Sequence, residues 1–229
     1  MTGPTLNVQP LDTSTSFRTQ VYHALKQAIT EMDIYDHKTE IRLDERQVSE
    51  KLGVSRTPIR EAMTLLEQEG FVRSQPRRGI FVIRKTKREI IEMVTVWAAL
   101  ESMAARLAAS KATDEEIQSL RTLFTDFEKK KPGEHVNEYS DANIAFHKRI
   151  IRMSGCQMII EMTDNLFIHM RAIRKLTIGQ DNRAERSIVD HNNIIDALEK
   201  RDAELAERLV RDHTLGLAQH IEKHGDFLD

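Results

Sequence analysis

Two arginines, a serine and a threonine lie close together in segment 55–60 of the chain, as Ser55, Arg56, Thr57 and Arg60. An arginine guanidinium can bond both acceptors of a guanine edge, and serine and threonine hydroxyls can bond bases or phosphates. Because Arg56 and Arg60 are four residues apart, they share one face if this segment is helical. The combination predicts a helix that contacts the major groove of DNA.

Further basic residues flank this segment. Arg46 starts the preceding helical segment, where it suits a phosphate contact, and Arg77 and Arg78 occupy the connector between two β-prone runs. Gly79 allows that connector to approach a DNA backbone closely. Residues 46–88 contain 11 basic and 4 acidic side chains, which favours a polyanionic partner. The alternative is a solvated surface with scattered arginines.

Three histidines in the second half of the chain have a spacing that suits a metal site. His191 lies about ten residues before a turn expected at Arg201, and His213 lies about twelve residues after it. In an antiparallel pair of helices, with a rise of about 1.5 Å per residue, these positions return to within roughly 3 Å of one level. Counted from a break at Gly155, His147 falls within about 6 Å of that level. Three imidazoles at one depth in a helical bundle can bind a divalent ion.

Asn143 precedes His147 by four residues, so the two share a helical face. With its amide oxygen the predicted ligand set is Asn143, His147, His191 and His213. Imidazole and carbonyl ligands suit Zn²⁺, Ni²⁺ or a similar ion, and the sequence does not choose between them. For each histidine taken alone, a core or surface role is the competing interpretation.

The first part of the chain has the pattern of three helices followed by a β-hairpin. Apolar residues recur at helical spacing over 17–32 and 55–70, and a shorter helix is expected over 44–52. Two β-prone runs, 71–73 and 80–83, follow them. Helix, turn, helix and a basic hairpin together predict a winged helix-turn-helix.

After Lys85 the pattern is helical throughout, which predicts an antiparallel all-α bundle of six to seven helices. The expected helices are near 87–110, 113–130, 134–153, 156–177, 184–200 and 202–223. The fold class is therefore mainly α. The predicted domains are a flexible arm at 1–16, the winged helix-turn-helix at 17–84, and a helical effector-binding and dimerisation domain at 85–229.

Composition agrees with this division. The net charge is −2, but residues 1–88 carry +4 and residues 89–229 carry −6, so a polyanion is expected to bind the first part only. Cys156 is the single cysteine, which excludes intrachain disulfides and a cysteine-based zinc site. No apolar run is long enough for a membrane span, and no secretory signal is recognisable, so a cytoplasmic location is expected.

The stretch DERQVSEKLGVSRTPIREAMTLLEQEGFVRSQPRRGIFV resembles the winged helix-turn-helix of the GntR family of bacterial regulators. The core GVSRTP-x-REA, the following glycine-aromatic pair and the basic wing with its glycine match in order. The resemblance implies DNA contacts from six matching positions: Arg46, Ser55, Arg56, Thr57, Arg60 and Gly79.

The second half is similar to the FadR-type effector domain of that family, through ALESMAARLAA, AFHKRI, DHNNIIDALEKRD and AERLVRDH. This similarity implies a divalent metal held by His147, His191 and His213, where Asn143 replaces the usual Asp. It also implies a carboxylate effector. Trp97 stands where many relatives have an arginine that pairs with that carboxylate. Arg171 and Arg174 could supply the charge instead, and Trp97 could support an aromatic ligand.

The sequence thus predicts a ligand-responsive transcription regulator that acts as a repressor. It does not predict an enzyme. It would bind a palindromic operator as a homodimer, because two-fold DNA sites need two reading heads. Two alternatives are open at this point. One is a metal-responsive regulator without an organic effector. The other is a metal-dependent hydrolase, although no HExxH-type general base accompanies the histidines.

Overall fold

The computed structural model describes residues 16–32, 34–35, 40–124, 136–164 and 166–228. The predicted arm at 1–16 lies outside these residues except for Ser16. Two compact units divide the chain. The first extends to Ala28 and takes in Arg42–Val82, and the second comprises Ile29–Ile41 and Ile83–Asp229.

The helical part of the first unit consists of α2 (Glu45–Leu52), α3 (Arg56–Gln68) and α1 (Phe17–Glu31) as far as Ala28. The Asp44 side chain caps α2 by accepting from the backbone N–H groups of Arg46 and Gln47, at 2.8 and 3.2 Å. Gly53 ends α2 with φ at 66°, a left-handed conformation that glycine adopts without steric cost. The buried stripe of α3 consists of Ile59, Ala62, Met63 and Leu66.

Three short strands complete this unit: β1 (Arg42–Leu43), β2 (Val72–Gln75) and β3 (Gly79–Val82). Their order is β1-β3-β2, and both pairings are antiparallel. The expected hairpin is β2–β3. Strand β1 is an addition to the prediction, because two residues are too few to produce a recognisable alternation of apolar and polar side chains.

The second unit is a helical bundle. In chain order its described helices are α4 (Lys87–Lys111), α5 (Asp114–Thr122), α6 (Val136–Met153), α7 (Gln157–Asp164), α8 (Leu166–Thr177), α9 (Arg183–Glu199) and α10 (Ala203–His224), and a 3₁₀ turn follows at Asp226–Leu228. Helix α4 packs against α10, α6 and α9. It presents small residues to the core, including Ala104, Ala105 and Ala108, which allow neighbouring helices to approach closely.

The mainly α fold, with a winged first unit and an all-α second unit, confirms the predicted class. One helix boundary differs: the helix expected over 156–177 is two helices, α7 and α8, on either side of residue 165. Of the helix expected over 113–130, the part at 125–130 lies outside the described residues, as does the expected break at 132–133. Among the helices that the structure describes, none is both long and apolar enough to cross a membrane.

Segment Ile29–Ile41 groups with the helical unit, whereas the sequence had assigned it to the DNA-binding domain. The physical reason is a buried tyrosine. The Tyr35 hydroxyl lies 2.9 Å from Nδ1 of His169 and accepts from the backbone N–H of Lys85 at 3.2 Å. The hydroxyl can donate to Nδ1 only while that nitrogen has no proton. Burial lowers the pKa of His169 to about 4, with a further lowering from the charge of Lys85, so the imidazole is neutral in the folded chain.

This depressed pKa predicts a loss of stability in acid. Below pH 6.5 the unfolded chain binds a proton at His169 that the folded chain takes up only near pH 4. The stabilisation that comes from keeping His169 neutral is therefore complete above pH 6.5. At pH 5 the free energy of unfolding should be lower by about 2 kcal/mol. In urea unfolding at pH 7 and pH 5, His169→Gln should lose less stability than the parent chain by about that amount. An identical loss in both proteins would contradict the assignment.

Candidate functional site

The start of α3 is presented to solvent while its other face is held in the core. Ser55 is the N-cap residue in extended conformation, and its hydroxyl makes no capping hydrogen bond. Arg56, Thr57 and Arg60 are exposed, and the buried stripe of α3 fixes the direction in which they point. The structure therefore brings the four predicted base-contacting residues together on one accessible helix end.

Two of the predicted arginines, both exposed, pair with acidic side chains. Arg60 Nε donates to Oε2 of Glu45 at 2.8 Å, with the arginine side chain 63% exposed. Arg46 pairs with Glu50 at 3.5 Å, with the arginine 70% exposed. Exposed pairs of this kind contribute at most about 1 kcal/mol. Both guanidinium groups can therefore exchange a carboxylate for a nucleic-acid phosphate at little cost.

The wing carries Arg77 and Arg78 in the turn between β2 and β3, and Gly79 as the first residue of β3. Arg77 has a positive φ of 63°, and Gly79 has φ at 112°. The φ of Gly79 is one that L side chains rarely adopt, so the position favours glycine. A Cβ atom there would also lie 2.8 Å from Nε of the flexible Arg42 side chain, which would have to shift. Arg42 on β1 is a basic residue beside the wing that the sequence did not single out, because β1 itself was not recognised.

The three predicted histidines meet inside the helical unit. His147 on α6, His191 on α9 and His213 on α10 each offer one ring nitrogen, and these nitrogens lie within 4.8 Å of one another. His147 and His191 are 1% and 0% exposed, and the His213 side chain is 5% exposed. We call these three residues the histidine cluster. Burial lowers the pKa of each imidazole, and the neighbouring positive charge of Arg174 lowers it further. Metal binding requires this neutral form.

Two acidic side chains orient rings of the cluster through hydrogen bonds to Nδ1. Oε1 of Glu101 on α4 accepts from Nδ1 of His147, and Oδ2 of Asp190 accepts from Nδ1 of His213 at 3.0 Å. With the protons on Nδ1, the Nε2 lone pairs of both rings point away from the carboxylates, as in many metal sites. Burial raises the pKa of Glu101, and the positive charge of Arg174 opposes that shift. The sequence did not identify either carboxylate as part of the site, although Asp190 directly precedes His191.

Several buried polar atoms at the cluster have no hydrogen-bond partner among the described residues. They are Nε2 of His213, Nδ1 of His191 and Oδ1 of Asn143. Asn143 is fully buried on α6, and its Nδ2 lies 3.1 Å from the Ser187 hydroxyl and 3.4 Å from Nε2 of His191. Unpaired buried polar atoms are costly. Three neutral imidazoles and an amide oxygen form a donor set that fits a divalent transition-metal ion.

Arg174 is the one predicted effector residue that directly touches the cluster by a hydrogen bond. It is 1% exposed, its Nη2 donates to Nε2 of His147 at 2.9 Å, and its guanidinium lies 5.2 Å from the centre of the Trp97 ring. Its Nε and Nη1 have no hydrogen-bond partner among the described residues. Burial lowers the pKa of Arg174 to about 9, which still leaves it cationic at neutral pH. Arg174 therefore uses the His147 lone pair that a metal ion would need.

The other two predicted effector residues have different surroundings. Trp97 is fully buried, with its ring 4.9 Å from that of His147, so it packs against the cluster. Arg171 is partly exposed, pairs with Asp141 at 3.1 Å and borders a small cavity of about 110 Å³ that contains no cluster residue. Sequence spacing did not show that Arg174 is buried at the cluster while Arg171 is partly exposed, because the depth of a side chain in the bundle depends on the neighbouring helices.

A larger cavity, of about 550 Å³, is bordered by His213 of the cluster and by Asp190. Arg183 also lines it. One of its guanidinium nitrogens donates to the backbone oxygen of Gly216 at 3.3 Å, and its Nε has no partner among the described residues. Burial lowers the pKa of Arg183 to about 10. Arg183 gives this cavity a positive charge at neutral pH whose Nε donor is unpaired among the described residues, and the sequence did not identify it.

Comparisons with known proteins agree with the two units. Residues 17–82 match the family model described as bacterial regulatory proteins, gntR family, and residues 92–216, more than half of the chain, match the FCD domain. The HTH-type transcriptional regulator YdhC of Bacillus subtilis is 28% identical over 213 residues, which cover 93% of this chain and 94% of that protein. The HTH-type transcriptional repressor RspR of Escherichia coli is 24% identical over 181 residues, 79% of each chain.

Among solved structures, Escherichia coli McbR/YncC matches 92% of this chain and 100% of its own, with a TM-score of 0.73 and 24% identity. This similarity supports the fold. The matched relatives are named as transcription regulators, which supports a regulator over the metal-dependent hydrolase considered from the sequence. The chain belongs to the GntR family of bacterial regulatory proteins, as a DNA-binding transcription regulator with an FCD domain.

Proposed function

We propose that this regulator is a homodimeric repressor that binds a palindromic operator and responds to a small carboxylate. In this proposal the carboxylate binds next to a divalent metal ion, Zn²⁺, Ni²⁺ or similar, held by Asn143, His147, His191 and His213. The observation that carries the proposal is the convergence of three buried, neutral imidazoles beside a cavity that is lined by a partly buried arginine, Arg183.

The ligand chemistry supports the metal ion. Glu101 and Asp190 hold the Nδ1 protons of His147 and His213, so the lone pair of each ring is on Nε2, unpartnered in His213 and bonded to Arg174 in His147. The unpaired Oδ1 of Asn143 supplies an oxygen without a negative charge. A metal ion bound there would supply a Lewis-acidic positive centre for an anionic ligand.

Arg174 supports a carboxylate as the effector. If a metal ion engages Nε2 of His147, the Arg174 Nη2 donor loses its acceptor, and Nε and Nη1 are already unpaired among the described residues. A buried guanidinium without acceptors is strongly unfavourable. Since a carboxylate can accept two parallel hydrogen bonds from arginine, it would pair with Arg174 and with the metal centre. Arg183 and the cavity beside His213 offer a route and a second positive charge.

Dimerisation is supported by unburied apolar side chains on two helices of the bundle. Val96 and Met103 on α4 are 50% and 44% exposed, and Met158 and Met162 on α7 are 64% and 52% exposed. Exposed apolar groups of this size are typical of interaction surfaces. Repression is supported by the relative RspR, which is named a transcriptional repressor.

The test measures binding of the full chain to its own promoter region by fluorescence anisotropy at two salt concentrations. The metal-loaded protein should bind a defined site, with affinity falling steeply as salt rises. A panel of small carboxylic acids should contain at least one member that weakens binding at least tenfold, and chelation should abolish that response.

Three results would separate the alternatives. If the protein bound no specific site in its promoter region even at low salt, the proposal that it binds an operator there would be wrong. A response to metal alone, with no member of the carboxylate panel active, would favour the metal-responsive regulator. An effector response unchanged by thorough chelation would remove the metal ion from the proposal.

A further inference from the structure

A second group of metal-binding side chains lies at the far end of α10. His220 and His224 are four residues apart on the last turns of this helix, and Asp181 lies in the loop between α8 and α9. One ligand atom from each residue lies within 4.8 Å of the others. The two imidazole ring centres are 4.7 Å apart. We propose that Asp181, His220 and His224 form a second divalent metal site, which we call the rim site.

His220 is already oriented for coordination. It is 6% exposed, and its Nε2 donates to Oε1 of Gln180 at 2.9 Å. The proton on Nε2 leaves the lone pair on Nδ1, and an imidazole fixed by a hydrogen bond on its other nitrogen is typical of metal ligands.

The loop that carries Asp181 has an unusual backbone. Asp181 and Asn182 both have positive φ angles, 50° and 52°. Two successive non-glycine residues in the left-handed region are energetically unfavourable. In this loop a carboxylate oxygen of Asp181 lies within 4.8 Å of a ring nitrogen of each of the two histidines. A bound ion that joined the loop to α10 would offset the backbone cost.

The charges around the rim site are mixed. Arg183, Arg186 and Lys223 border the same cavity and oppose a cation. Arg186 pairs with Oδ2 of Asp181 at 3.1 Å, but both side chains are about 60% exposed, so the pair is weak and exchangeable. The C-terminal end of α10 at His224 carries partial negative charge, which attracts a cation. Direct ligand bonds, rather than long-range attraction, therefore have to supply the affinity.

The donor set selects the kind of ion. Two imidazole nitrogens and one carboxylate oxygen suit Zn²⁺, Ni²⁺, Co²⁺ or Cu²⁺ much better than Mg²⁺ or Ca²⁺. Three protein ligands leave coordination positions for water or a ligand. Because His213 borders the same cavity of about 550 Å³, the rim site and the histidine cluster face a shared space without sharing a ligand.

The experiment counts metal ions bound by the full chain, purified without a histidine tag and stripped with chelator. Calorimetric titration with Zn²⁺ and absorbance titration with Co²⁺ should both show that His224→Gln binds one metal ion per chain fewer than the parent does. Asp181→Asn should weaken the same equivalent at least tenfold. His224 is exposed, so its replacement should leave the circular dichroism spectrum unchanged. His23→Gln, an exposed histidine on α1, is the matched control.

His191→Ala keeps this test independent of the proposed effector site. Equal stoichiometry and affinity in His224→Gln and the parent chain would overturn the rim site, whatever His191→Ala does. If the equivalent lost in His224→Gln survives in His191→Ala, the rim site stands even if the histidine cluster binds no metal.

Discussion

Replacing Arg56 with alanine should lower the affinity for the operator by roughly ten- to a hundredfold and leave the fold intact. A bidentate arginine–guanine contact contributes about 1–3 kcal/mol of discrimination, and Arg56 is exposed at the first position of α3. The core side of α3 does not involve this residue, so its loss should not change the unfolding midpoint. Fluorescence anisotropy with operator and scrambled DNA measures the effect.

The comparison between the two DNA sequences separates a base contact from a phosphate contact. If Arg56 contacts a base, the variant should lose affinity for operator and keep its affinity for scrambled DNA. If it contacts a phosphate, both affinities should fall and the salt dependence should become shallower by about one ion. Arg152→Ala, which removes an exposed arginine of the helical unit, is the charge-matched control. Undiminished operator affinity in Arg56→Ala would reject the recognition-helix assignment.

Replacing His191 with alanine should remove most of the ion proposed for the histidine cluster. His191 is fully buried, and its ring lies 4.3 Å from that of Phe146 and 4.7 Å from that of Phe124. The substitution therefore removes a ligand and also leaves a cavity, which alone costs about 2 kcal/mol or more. A metal ion present at a hundred to a thousand times its Kd adds about 3–4 kcal/mol to the free energy of unfolding of the parent chain.

The two contributions can be separated with a chelator and a second buried histidine. Chelation should lower the melting temperature of the parent chain by more than that of His191→Ala, because the variant has lost the cluster ion and keeps only the ion proposed for the rim site. His169→Ala also removes a buried imidazole, but one that lies outside the cluster, so it should destabilise the protein and keep the metal. Elemental analysis counts the ion in each protein. Unchanged metal content in a folded His191→Ala would exclude His191 from the site.

Most of the fold could be predicted from helix periodicity and helix caps, because both are set by residues that are close together in the sequence. The apolar spacing in α3 and the capping role of Asp44 are local properties of this kind. The division of segment 156–177 into α7 and α8 was not predictable from spacing, since both helices continue the same apolar pattern. The two-residue strand β1 exists through its pairing with β3, which no local pattern expresses.

The sequence by itself determined which residues could share a level in the bundle. A regular rise per residue makes the relative heights of His147, His191 and His213 countable once the turns are located. The tertiary structure decided what surrounds them. Glu101 and Asp190 orient the rings, and Arg174 occupies the His147 lone pair, whereas Arg171 lies on the outside against Asp141. Such choices depend on how the helices rotate and pack together, and one-dimensional spacing does not encode that rotation.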